Sequence, residues 1–376
     1  MNFQIIFKKN MSNLDSLIHD LFKIINNSSK YLHEFDIVDL RPDESDYIFE
    51  ENHLAVNKIH VKNLYPYLRE KFLKRDQLKL TNFEREEISL LILLIHPQFS
   101  SVWSQRKQLV CDGLIEGEHE FRLNKLILNK NCKSELAYMH RRWLVKRLNI
   151  NNIQIFIEEE CELVFKLSKK IKSNYYCWSY LNWLFDHFKI QMVSTEFLIN
   201  VLNSHQRNVL ELSVSDYCVF HFRLNFFKLF VLETNLFENN DLSNLIKSEY
   251  EIFDDFLFRY PTYQTVWNYR KYFLKLIELL DESRKEFLFK NLSLHSIAFL
   301  DEHIDDVQNL CKAEDMKLLG ADAESSCLLG YLVKREIILN NFVQKFYERN
   351  NNLDFKIVEN YALLQLKFIS KFLVYE

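Results

Sequence analysis

The densest group of chemically versatile side chains in this sequence is His140, Arg141, Arg142, Lys146 and Arg147. A guanidinium offers a planar fork of donors matched to carboxylate or phosphate oxygens, and an imidazole titrates near neutral pH. Further arginines, Arg106, Arg223 and Arg270, each stand three residues after a large aromatic: Trp103, Phe220 and Trp267. Arg141 follows Tyr138 by the same step, and Leu181 follows Trp178. A tie between helices, or contact with another subunit, is the leading reading of these basic groups. A solvated helix face is the plain alternative, and a phosphate role is secondary. The five aromatics themselves read as packing residues, because aromatics recurring at a structural spacing are core before they are ligand contacts.

Motifs for self-contained catalysis are missing. There is no HExxH, no paired-cysteine motif and no Cys/His cluster with ligand spacing, so no metal site is assigned. The seven cysteines, at 111, 132, 161, 177, 218, 311 and 327, read as reduced thiols of a cytoplasmic protein. Asp301, Glu302, Asp305 and Asp306, with His303 among them, have the spacing of a solvated helix face. Four glycines and four prolines leave little material for phosphate-cradling loops or a dinucleotide fingerprint. A net charge of −4 argues against nucleic acid. The start, MNFQIIFKKNMSNL, lacks the apolar core of a signal peptide, and the longest apolar run, Leu90 to Ile95, is too short to span a bilayer.

The elements that must carry these residues are helices. The anchors fall 35, 40, 42 and 47 residues apart, the period of stacked helical hairpins. Ahead of Trp178, Ile153, Phe156, Ile157, Cys161, Val164, Leu167 and Ile171 recur at three- and four-residue steps, which makes one amphipathic stripe. Asn174 and Tyr175 interrupt it, and a second helix follows. Similar pairs are expected over 82–95 with 99–111, 119–130 with 135–148, 194–212 with 216–233, and 242–260 with 263–280. A hairpin alone cannot bury both its faces, so the pairs must stack into one continuous core. Three regions result: an N-terminal helical arm over 1–75, five repeats over 76–280, and capping helices over 281–376. Within the arm we expect a helix around 12–33, an irregular acidic stretch, and a helix around 53–75. Capping-box spacings occur at Thr81 with Glu84 and at Ser283 with Glu286.

The anchor segments HPQFSSVWSQRKQLV, KSELAYMHRRWLV, SNYYCWSYLNWLF, SDYCVFHFRLNFF and TYQTVWNYRKYFL resemble the Asn-Tyr-x-x-Trp-x-x-Arg-Arg repeat of protein prenyltransferase alpha subunits. ENHLAVNKIHVKNLYPYL in the arm, and the HPQFSSVW form of the first repeat, are similar to one divergent branch, whose members serve as the alpha subunit of geranylgeranyltransferase type III. The resemblance implies an all-α fold, a right-handed alpha-alpha superhelix forming a crescent of helical hairpins. It also implies a noncatalytic role: holding a Rab-type geranylgeranyltransferase beta subunit that carries the catalytic zinc and the isoprenoid cavity. This chain would then hold no cofactor, meet geranylgeranyl diphosphate only at the subunit boundary, and recruit substrates with C-terminal cysteines, a SNARE and an F-box protein among them.

By the same resemblance Lys133 takes the place of a lysine that reaches the diphosphate across the boundary. There a cation would stabilise the charge growing on the leaving group. Tyr176 replaces the family's diphosphate-side histidine, able to donate a hydrogen bond but uncharged. Glu135 and Leu136 replace a tyrosine and a glutamine, and a leucine cannot bind a substrate's terminal carboxylate. His140, Arg141, Arg142, Arg106, Arg223 and Arg270 would serve as inter-helix or interface residues. A helical scaffold without transferase function is the rival reading.

Overall fold

The computed structural model describes residues 14–28, 32–41, 46–188, 194–205, 209–232, 239–285 and 287. The expected cap over 281–376, including Glu286, the acidic group around His303, Cys311 and Cys327, lies almost wholly outside the described residues. Two compact units divide the chain, residues 1–184 and 185–376.

The first unit opens with α1 (Leu14–Ser28), whose Leu17, Ile18, Leu21, Phe22 and Ile25 form a buried stripe. Next come β1 (Glu34–Val38), β2 (Tyr47–Glu50) and β3 (His53–Asn57). These make a three-stranded sheet of order β1-β3-β2, with β1 parallel and β2 antiparallel to β3. The arm therefore departs from the expected run of helix, irregular chain and helix. Residues 53–57 belong to a strand, and the helix starts only at α2 (Lys58–Leu73), capped by the Asn57 side chain on the Ile59 amide. The turn between β2 and β3 consists of Glu51 and Asn52, with φ of 47° and 64°. Positive φ at both positions gives the backbone twist that suits a two-residue hairpin. The sheet packs against α2 and α5.

Helical hairpins follow at the positions the periodicity predicts: α3 (Asn82–Ile95) with α4 (Ser100–Cys111), and α5 (Gly117–Lys130) with α6 (Glu135–Val145). The third pair is α7 (Ile153–Lys170) with α8 (Tyr175–Phe188). Thr81 and Glu84 form a reciprocal capping box at the start of α3, and Ser134 and Asn152 cap α6 and α7. Nearly every side chain from Ile88 to Leu94 is buried, because α3 meets α1, α2, α4 and α5 on its several sides. The second unit holds α9 (Thr195–His205) with α10 (Tyr217–Leu232) and α11 (Asn239–Arg259) with α12 (Gln264–Glu278).

Each aromatic anchor is buried, none more than 4% exposed. Three of them also fix the turn that precedes their helix. Trp103 Nε1 donates to the Pro97 carbonyl at 2.8 Å, Trp267 Nε1 to that of Pro261 at 2.7 Å, and the Tyr138 hydroxyl to that of Cys132 at 3.2 Å. The carbonyl lies six residues back every time. An indole or phenol thus supplies apolar area to the core and satisfies a turn carbonyl that helix formation leaves over. Phe220 fills the same place with no donor.

Candidate functional site

The anchor-following arginines are buried, and each is paired. Arg106 on α4 makes a forked contact with Glu120 on α5, with Nε to Oε1 at 2.9 Å and Nη2 to Oε2 at 2.5 Å. Its Nη1 donates back to the Glu86 carbonyl at 3.2 Å and to Ser89 Oγ at 3.0 Å on α3. Arg141 on α6 repeats this arrangement one hairpin later. Its fork grips Glu160 on α7 through two 2.6 Å bonds, while Nη1 reaches the Phe121 carbonyl and Asn124 Oδ1 on α5. In the second unit Arg223 on α10 grips Glu249 on α11 at 2.7 and 2.6 Å and returns Nη1 to the Leu202 carbonyl on α9. One guanidinium therefore ties its own hairpin to the first helix of the next. Five rigidly arranged donors make this possible, and a lysine could not reproduce it. Arg270 differs, bonding Asp254 at 2.6 Å on the first helix of its own hairpin.

A third group completes each carboxylate. His140 Nε2 lies 2.8 Å from Glu120, and the hydroxyls of Tyr180 and Tyr269 donate to Glu160 at 2.5 Å and to Glu249 at 2.7 Å. These donors all stand 20 residues after their carboxylate, immediately ahead of the arginine position of the same hairpin. Burial opposes ionisation of Glu120, yet the Arg106 charge and the His140 bond hold its carboxyl well below the ordinary range. Burial pushes the Tyr180 and Tyr269 phenols well up, and the adjoining glutamates push them further. They remain donors.

This carboxylate set is what sequence reasoning missed. The distance from arginine to glutamate varies, 14, 19 and 26 residues, because the helical stretches that follow the arginine and precede the glutamate differ in length. The constant 20-residue step from glutamate to tyrosine or histidine was the available signal.

The solvent side brings other predicted residues together. Lys133 is exposed in the turn between α5 and α6, next to the cap Ser134. Tyr176, half-buried on α8, bonds the Glu135 carboxylate; that charge first, and burial second, raises its phenol above the ordinary value. Arg142, on the same side of α6, donates from Nη2 to Ser179 Oγ on α8 at 2.9 Å, and burial lowers its guanidinium. His140 stacks between Trp103, at 4.6 Å, and Trp143, at 5.4 Å, and burial lowers its imidazole. Glu135, Tyr176 and Arg142 thus share the α6–α8 face, with Lys133 exposed in the turn before α6, whereas Arg106, Arg141, Arg223 and Arg270 lie inside. Among the described residues no group of three or more His, Cys, Asp or Glu side chains is arranged to hold a metal ion, and no helix is long and apolar enough to cross a membrane.

The protein prenyltransferase alpha subunit repeat model matches residues 157–188 and 246–277, which are the α7–α8 and α11–α12 hairpins. A human protein prenyltransferase alpha subunit repeat-containing protein 1 is 26% identical over 315 residues, covering 69% of this chain and 78% of that one. The chain is similar to these repeat-containing proteins and has two matches to their repeat. The Xenopus laevis repeat-containing protein 1-B is 26% identical over 288 residues, 63% of this chain and just under two thirds, 66%, of its own length. The geranylgeranyl transferase type-2 subunit alpha of Saccharomyces cerevisiae is 21% identical over 65% of this chain and 76% of its own. In this chain both matched hairpins include a completed carboxylate set, Glu160 with Tyr180 and Glu249 with Tyr269.

Proposed function

We propose that this chain is the alpha subunit of a heterodimeric protein geranylgeranyltransferase, holding a Rab-type beta subunit and presenting protein substrates for cysteine prenylation. The observation that carries this reading is Lys133, exposed in the turn before α6, in a chain whose neighbouring α7–α8 hairpin, and α11–α12 hairpin, match the protein prenyltransferase alpha subunit repeat. In this reading the beta subunit supplies the zinc and the isoprenoid cavity. The Lys133 ammonium approaches the departing diphosphate from across the boundary, where a cation helps more as charge accumulates. Tyr176, engaged with Glu135, contributes no charge to that task.

The same Tyr176–Glu135 bond favours a second reading. A carboxylate two residues from Lys133 lowers the local potential for an anion, as expected of a scaffold that keeps the fold without the transferase role.

Coexpression with a Rab-type beta subunit, followed by single-turnover transfer of the geranylgeranyl group to a cysteine-terminated protein, distinguishes the two. A stoichiometric complex with activity that neither chain shows alone supports the transferase. Absence of a complex leaves the scaffold. Lys133→Ala should preserve assembly and slow transfer about tenfold, roughly 1.4 kcal/mol, less than the full effect of a dry and solitary oxyanion donor because the partner's cations share the diphosphate. An unchanged rate in an intact heterodimer would show that Lys133 takes no part.

A further inference from the structure

The second helices of the first unit carry a set of cations that no carboxylate neutralises. Trp143 has Lys107 Nζ at 5.6 Å from its ring centre and the Arg147 guanidinium at 4.6 Å. Trp183 has Arg142 at 5.5 Å and Lys146 Nζ at 5.8 Å. Lys107 lies on α4, Trp183 on α8, Arg142 and Trp143 on α6, and Lys146 and Arg147 in the turn that ends α6. Among the described residues none of these four cations forms an ion pair, whereas the buried arginines all do. The indoles restrain the cationic side chains, so less rotamer entropy remains to be lost when an anion docks. Such a cluster is unexpected on a chain of net charge −4.

We infer that this face docks an acidic segment of a partner protein, one rich in aspartate and glutamate. Charge complementarity with four unneutralised cations selects the sign of the partner. Trp and Arg are also the residue types that dominate protein–protein hot spots, and exposed Met139 on α6 and Tyr175 on α8 add apolar contact area. A single-stranded nucleic acid fits less well. Both indoles already have cations over them, so they are poor platforms for base stacking, and the chain's overall charge repels a long polyanion. The inference needs no transferase activity.

Fluorescence anisotropy with a fluorescein-labelled peptide of alternating Glu and Tyr, its Gln-for-Glu counterpart, and oligo(dT) tests it on the full chain. The Glu peptide should bind, weaken as salt rises, and lose affinity about tenfold or more in Lys146→Glu/Arg147→Glu. Both side chains are exposed, and a thermal melt checks the fold. Should that variant fail to fold, Lys107→Glu on α4 has to show the same loss. Lys125→Glu, the same charge change as Lys107→Glu but at an exposed site on α5, should bind like wild type. The inference is overturned if the wild-type chain does not bind the Glu peptide at low salt, if Lys125→Glu loses as much affinity as Lys107→Glu, or if oligo(dT) binds more tightly than the peptide.

Discussion

Arg141 shows what keeps a charge tolerable in this interior. It is 1% exposed, and its guanidinium makes four hydrogen bonds, two to a carboxylate, one to a backbone carbonyl and one to an amide oxygen. Removing one partner of such a set strands the others. Glu160→Leu should therefore cost about 3–5 kcal/mol in urea unfolding, since it leaves the Arg141 charge uncompensated and the Tyr180 hydroxyl without its acceptor. Lys130 is the opposite case: its Nζ is shielded, has no hydrogen-bond partner, and rests 4.4 Å from the centre of the Phe35 ring. Burial pushes its ammonium down to about 8 from an ordinary 10.5, with Asp36 opposing the shift. The folded chain then binds fewer protons than the unfolded chain between those values, so Lys130 makes stability rise with pH from about 8 to 10.5. Below pH 8 both states hold the proton and the penalty is constant. Lys130→Met should raise the melting temperature at pH 7 and reduce the gain seen between pH 8 and 10; a lower melting temperature at pH 7 would mean that the ammonium has a stabilising partner.

The hairpins were legible in the sequence because their apolar stripes are long and local, and the buried anchors repeat at a recognisable period. The sheet was not. Its β1–β3 pairing joins strands of five residues with strand β2 between them in the chain, and no local pattern encodes a partner that distant. Its tight turn is Glu51-Asn52 where Asn-Gly is the usual signal, and His53-Leu-Ala-Val-Asn runs straight into α2 without a break in composition. At the candidate site the arginines could be read from their fixed step behind the anchors. Their glutamates could not, since helical stretches of different length separate each arginine from its partner. A buried ion pair replaced whole by apolar residues of similar volume is often no less stable, whereas removing one partner strands the other. Arg141→Leu/Glu160→Leu/Tyr180→Phe places such an apolar set at the α6–α7 junction. This triple variant should be more stable than Glu160→Leu alone, although Asn124 and the Phe121 carbonyl lose a donor. A triple variant less stable than the single one would show that the arginine contributes through contacts other than its carboxylate.

An array of hairpins concentrates its interactions between neighbours, so damage at one junction need not propagate along the whole chain. Two compact units, 1–184 and 185–376, give that expectation a concrete form. Trp103, Trp143, Trp178 and Trp183 belong to the first unit and Trp267 to the second, so tryptophan emission chiefly follows the first. Far-UV circular dichroism follows helices in both. Glu160→Leu breaks a tie in the first unit and Glu249→Leu the equivalent tie in the second. In urea, Glu160→Leu should lower the emission midpoint. Glu249→Leu should leave that midpoint almost unchanged while shifting part of the dichroism transition to lower denaturant, because unfolding of a repeat array departs from two-state behaviour. Were both variants to displace both probes by the same amount, the two units would unfold as one cooperative body, and nearest-neighbour energetics would not describe this chain.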